Sequence, residues 1–248
     1  MKKLSLTAAL LLSSALPAIA QDYGAAPDAA PQSLTQVMPE AGTVEASSVM
    51  MQVEPLQKEW ARIKYQVADK DTQLEAVHAL ERKAEQVTAS HPDSAEAKIW
   101  EAIILSTDAG IVRGISALGK VEKAKDLLEA AIKIDPRALK GSAYTSLGSL
   151  YYQVPGWPVA FGDDEEAEKN LKQALQINPA GIDPNFFYGD FLMQDDRFGE
   201  AKGYLERALQ APDRPGRELA DAGRRQEIKA KLAEIAQKGK DTAKPKYN

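Results

Sequence analysis

The feature that most constrains this chain is a self-repeat of small and large apolar residues. Ala124-x3-Leu128-x2-Ala131-x4-Pro136 recurs as Ala167, Leu171, Ala174 and Pro179, and again as Ala201, Leu205 and Ala208, with Pro212 one residue early. At helical spacing these positions share one face. Alanine there lets a second helix approach closely, and leucine fills the gap between the two. The last two copies follow first helices of matching pattern, Tyr144-x2-Leu147-Gly148-x2-Tyr151 and Asn185-x2-Tyr188-Gly189-x2-Leu192. Each pair leaves an apolar face that a neighbour must cover, so the pattern predicts stacked helical hairpins and an all-α fold.

In this spacing the chain resembles tetratricopeptide-repeat proteins. The resemblance implies a right-handed superhelix, an α-solenoid of about four hairpins with a C-terminal capping helix. It also implies a concave inner surface that holds partners rather than transforming them. The stretch Val154 to Gly162, together with Gly181-Ile182-Asp183-Pro184-Asn185, resembles a group of bacterial envelope tetratricopeptide-repeat proteins. More distantly it is similar to the T-component associated with tripartite (TRAP) periplasmic transporters, which would imply ligand handling beside a solute-binding partner.

The N-terminus reads Met1-Lys2-Lys3, an apolar run from Leu4 to Leu16, then Ala18-Ile19-Ala20. Those are the parts of a secretory signal peptide, with cleavage expected after Ala20 and a periplasmic destination. No later segment approaches the ~20 apolar residues of a membrane span. Residues 21–53 are rich in Ala, Pro, Gln and Ser, interrupted by Pro27, Pro31 and Pro39, and read as a disordered leader. Residues 54–237 carry the helical periodicity, and 238–248 read as a basic flexible tail.

Charge and cysteine usage narrow the function classes. The formal −5 of the chain divides into +2 over residues 1–20, −12 over 21–213 and +5 over 214–248. An acidic body repels phosphate backbones and argues against nucleic acid as the main partner. With no cysteine, disulfides, thiolate chemistry and cysteine metal ligands are excluded.

Enzyme signatures are missing as well: there is no Gly-x-Ser-x-Gly, no Gly-x4-Gly-Lys-Ser/Thr and no Gly-x-Gly-x2-Gly. The two histidines, His78 and His91, form no metal-binding pair. Asp163-Asp164-Glu165-Glu166 reads as a capping box opening the Ala167 helix rather than as a metal site. The expectation is therefore a non-enzymatic protein without metal or cofactor.

Candidate contact residues follow from the repeat. Seven extra residues separate Gly148 from Ala167 relative to Gly189 and Ala201; they place Trp157 and Phe161 in a loop, where aromatics are unusual. They are expected to pack into the groove or against the next hairpin, or to form a lid or partner-contacting loop. The resemblance points motif positions on each first helix into the concave face. Matched through Gly148 these are Thr145, Ser149 and Tyr152; through Gly189 they are Phe186, Asp190 and Met193. No Lys or Arg stands among them, so apolar or stacking contacts are expected, with one acidic element. The leading expectation is an unidentified periplasmic protein or peptide held in the groove of the third and fourth hairpins. The alternative is a small apolar ligand held by an accessory component of a transport system.

Overall fold

A computed structural model of the chain describes residues 41–243, with side chains over 48–238. The expected signal peptide and residues 21–40 lie outside the described residues. Four antiparallel hairpins stack in chain order: α1 (Ala41–Gln66) with α2 (Lys70–Ser90), α3 (Ala95–Val112) with α4 (Leu118–Ile134), α5 (Ser142–Gln153) with α6 (Asp164–Ile177), and α7 (Ile182–Gln194) with α8 (Phe198–Leu209). A last helix, α9 (Glu218–Ala243), follows. This is the right-handed superhelix that the repeat predicts.

The small positions do what their spacing requires. A Cβ added to Gly148 would stand 2.7 Å from Leu171 Cγ, and one added to Gly189 would stand 2.8 Å from Leu205 Cγ. The two hairpins therefore close on the same glycine–leucine contact. Ala124, Ala131, Ala167, Ala174, Ala201 and Ala208 are all fully buried.

Capping follows local chemistry. Asp69 and Ser94 cap α2 and α3 by accepting the N–H groups of Thr72 and Ala97. Asp163 Oδ1 accepts the Glu166 N–H at 3.0 Å, so the acidic run does open α6. The reciprocal half of the expected box is not made. Glu166 pairs with Lys169 instead, while the Asp163 N–H donates to the Tyr151 carbonyl.

Two boundaries differ from expectation. α1 begins at Ala41, so residues 41–53 are helical rather than leader, and Val49 and Val53 are buried in the first core cluster. Pro55 sits inside this helix; it removes one backbone donor, yet the Val49, Val53, Leu56, Trp60, Ile63 face stays buried. At the other end α9 runs to Ala243, into the expected tail.

α9 does more than cap the last hairpin. Its Ala220 belongs to the apolar cluster built by α1, α2 and α3, and its Ile228 to the cluster built by α5 to α8. Gly223 lies where α9 crosses α1, and any Cβ there would run into the Tyr65 ring. The last helix thus joins the two ends of the superhelix.

Candidate binding chamber

The inner helices α1, α3, α5 and α7, the loop 212–217 and α9 surround a partly enclosed chamber of about 1070 Å³. The α3 and α5 side is uncharged, with the polar Ser106, Thr107, Thr145, Ser146, Ser149 and Gln153 beside the apolar Trp100, Ile103 and Ile111. The α1 side brings Gln57, Trp60 and Lys64, and the closing segment brings Arg214, Arg217, Arg224 and Glu227.

Four of the expected contact residues, Thr145, Ser149, Phe186 and Asp190, stand in this wall. Tyr152 is buried, and its hydroxyl donates to Asp190 Oδ2 at 2.8 Å. Burial, and then the Asp190 charge, push the Tyr152 phenol well above its ordinary pKa. Met193 is buried in the α5–α9 cluster and does not line the chamber.

The inserted loop also lies outside the chamber lining, so the expected groove lid is not formed. Phe161 packs edge-to-face on Tyr151 with ring centres 5.6 Å apart, and Trp157 is 91% exposed. A Gly162 N–H to Pro155 carbonyl bond of 2.9 Å folds the loop back on itself.

The inner face of α7 is covered by the chain's own last helix. Arg224 lies over the Phe186 ring at 4.2 Å and over Phe187 at 4.7 Å, and Lys231 pairs with Asp190. Arg224 Nε donates to Asp183 Oδ1 at 2.9 Å, and Arg214 Nη1 donates to Asp183 Oδ2 at 2.7 Å. Burial would raise the Asp183 pKa, but the cations of Arg224 and Arg214 hold its carboxyl well below the usual carboxylate range. The network continues from Arg224 to Glu227 at 2.6 Å and from Glu227 to Lys64 on α1 at 3.1 Å. Burial, and then the Arg224 charge, lower the Lys64 pKa to about 8.

This arrangement corrects two expectations. The inner face of the fourth hairpin is partly covered by α9, and the chamber wall extends beyond the third and fourth hairpins to α1 and α3. The chamber is also not free of cations: Lys64, Arg214, Arg217 and Arg224 reach it from elements outside the repeat motif. The +5 over residues 214–248 was the one sequence signal of this.

A second cluster, which no motif in the sequence announces, lies between α2, α3 and α4. His78, Glu81 and Asp108 bring their ligating atoms within 4.8 Å of one another. The Lys120 ammonium already fills the cation position, 2.7 Å from each Glu81 oxygen and 2.7 Å from Asp108 Oδ2. His78 Nε2 lies 3.0 Å from the same Asp108 oxygen.

Stacked hairpins, paired glycine–leucine contacts and a concave inner face define a tetratricopeptide-repeat fold. The tetratricopeptide-repeat model matches residues 116–137, the segment that contains α4. Among solved structures the chain is similar to a thermophilic tetratricopeptide-repeat protein of Thermus thermophilus, at 23% identity over 66% of this chain and 75% of that one, with a TM-score of 0.50. Another similar chain is pilF of Pseudomonas aeruginosa, at 14% identity over 78% of this chain and 93% of that one, with a TM-score of 0.32. No curated protein matches. No described helix is long and apolar enough to cross a membrane.

Proposed function

We propose that this protein is a non-enzymatic periplasmic scaffold that takes a segment of a protein partner into the chamber bounded by α1, α3, α5 and α9. The observation that carries the reading is the chamber itself, about 1070 Å³ in volume and lined by side chains from all four inner helices. Repeat superhelices expose such concave surfaces for binding. The uncharged wall of α3 and α5 supplies hydroxyl and amide groups for a peptide backbone and the apolar Trp100, Ile103 and Ile111 for side chains.

The test is site-specific photocrosslinking in the native envelope. Benzoylphenylalanine at Ser146 or Ser149, in the chamber wall, should give a discrete protein adduct. The same group at exposed Lys172 on α6 should not. Equal crosslinking from both faces, or none from the chamber, would contradict the proposal. Tyr152 and Phe186 are poor probes, because both are buried and removing them opens core cavities.

A second reading, a ligand-carrying accessory component of a transport system, is favoured by α9 joining the ends of the superhelix. A partly enclosed chamber suits a small molecule better than an open groove does. That reading predicts a compound retained by the purified protein in native mass spectrometry.

A further inference from the structure

Among the described charged residues that line the chamber and are not exposed, Arg217 is the one without an ion pair. Lys64 pairs with Glu227, Arg214 with Asp183 and Asp221, Arg224 with Asp183 and Glu227, and the wall carboxylate Asp190 with Lys231. Asp213 pairs with Arg225. Glu54, Lys58 and Lys140 are exposed, where water screens them. Arg217 lines the chamber, yet among the described residues no carboxylate lies within ion-pair distance of it. The one hydrogen bond of its guanidinium is a long one of 3.4 Å to Gln57 Oε1.

Its surroundings make that cation costly to leave unmatched. The guanidinium rests over the Trp100 ring at 4.9 Å, and desolvation followed by the nearby Arg214 charge disfavours its protonated form. A guanidinium nevertheless stays charged in a protein. In the same wall the buried Trp100 indole Nε1 has no hydrogen-bond partner. Asp183 and Asp221 attract it only from beyond ion-pair distance, and a part-buried cation without a direct ion pair gains more from an arriving anion than one already paired.

We infer that the chamber binds a ligand carrying a single carboxylate, which docks on Arg217 at the junction of α1, α3 and the 212–217 loop. One cation without a direct ion pair matches one negative charge. A dianionic phosphate would face the neighbouring carboxylates Asp183 and Glu227 with a surplus charge. The rest of the ligand lies along the hydroxyl and amide groups of Ser106, Thr107, Ser146, Ser149 and Gln153. The inference rests on the reading of the chamber as the binding site. The carboxylate has two sources, a free small organic acid or the end of a polypeptide.

The experiment uses matched acid and amide probes, measured by titration calorimetry on the mature protein. Benzoate, 3-phenylpropionate and glutaramate represent free acids, and N-acetyl-Ala-Leu-Leu represents a chain end; each is paired with its neutral amide. At least one acid should bind tenfold or more tighter than its amide. Arg217→Gln should erase that difference while leaving the unfolding temperature near wild type, because Arg217 makes no ion pair. Preference confined to the small acids identifies a free acid as the source, and preference confined to the tripeptide identifies a chain end.

Equal binding of acids and amides, no binding by any acid, or a preference that survives Arg217→Gln would overturn the inference. Ser149→Trp separates it from the reading beneath it. If Ser149→Trp blocks binding but Arg217→Gln does not, the chamber stands and the carboxylate inference falls. If acid binding persists in Ser149→Trp, the chamber reading itself fails.

Discussion

Arg224 of α9 donates through Nε to Asp183 Oδ1 of α7 at 2.9 Å, while its guanidinium lies 4.2 Å from the centre of the Phe186 ring. A single side chain from outside the repeats thereby neutralises one inner-face residue of the fourth hairpin and covers another. Arg224 is itself 5% exposed. The pairing is a long-range one, 41 residues apart in sequence, and it turns a groove into a chamber.

The repeat glycines make an internal comparison. Gly189→Leu must displace Leu205, whose Cγ would stand 2.8 Å from the first added carbon, and overpacking of this kind costs ~1–3 kcal/mol. Gly203 lies inside α8 with nothing within 4 Å of an added Cβ. Gly203→Ala should therefore stabilise by ~0.5–1 kcal/mol through helix propensity. Urea unfolding should show opposite shifts in midpoint for the two variants.

Closure has its own glycine. Gly223→Val puts carbon into the Tyr65 ring at the α1–α9 crossing, so α9 must lift away. Amide exchange should speed up in α9 and in the C-terminal half of α1, while α3 to α6 keep their wild-type protection.

The charged network predicts stability that rises with pH in two separate windows, one acidic and one alkaline. The Asp183 carboxyl is held below its ordinary value, so it contributes stability above about pH 4 that is lost as pH falls below that point. The stability difference between wild type and Asp183→Asn should shrink as pH falls from about 5 to about 2. Lys64 has its pKa lowered to about 8, below its unfolded value of about 10.4. The folded state sheds this proton first, so Lys64 makes stability rise with pH between about 8 and 10.4. Lys64→Met should remove that rise.

Lys120 balances two carboxylates at once, and Asp108 is fully buried with Oδ1 unpartnered. Lys120→Met leaves a buried, uncompensated charge, a change that costs about 3–5 kcal/mol. Lys120→Met/Asp108→Asn should recover part of that loss, as read by thermal unfolding.

Much of this architecture was legible because alanine and glycine at fixed spacing force close helix contact. Gly148 with Leu171 and Gly189 with Leu205 meet as the repeat requires. The first turns of α1 were obscured by Pro39, Pro55 and an Ala/Gln/Ser-rich composition, although Val49 and Val53 continue the period of Leu56, Trp60 and Ile63. The chamber was only half legible. Thr145, Ser149, Phe186 and Asp190 follow from the motif, whereas Arg217, Arg224 and Lys64 come together only when the ends of the superhelix meet. No local pattern encodes that meeting. The sequence leaves Trp157 either packed or in a partner-contacting loop, because composition does not say which way a loop folds; the side chain is exposed at the tip of a loop that folds on itself.

The central claim is that α9 docks on α1 and makes the concave face a chamber. The absence of native cysteine allows spin labels to be placed at Gln66→Cys and Gln226→Cys, both exposed positions on the two helices. Pulsed electron–electron double resonance on this pair should give one short, narrow distance distribution, and adding Gly223→Val should broaden and lengthen it. A long, broad distribution in the otherwise wild-type background would mean that the superhelix is open and would contradict the account.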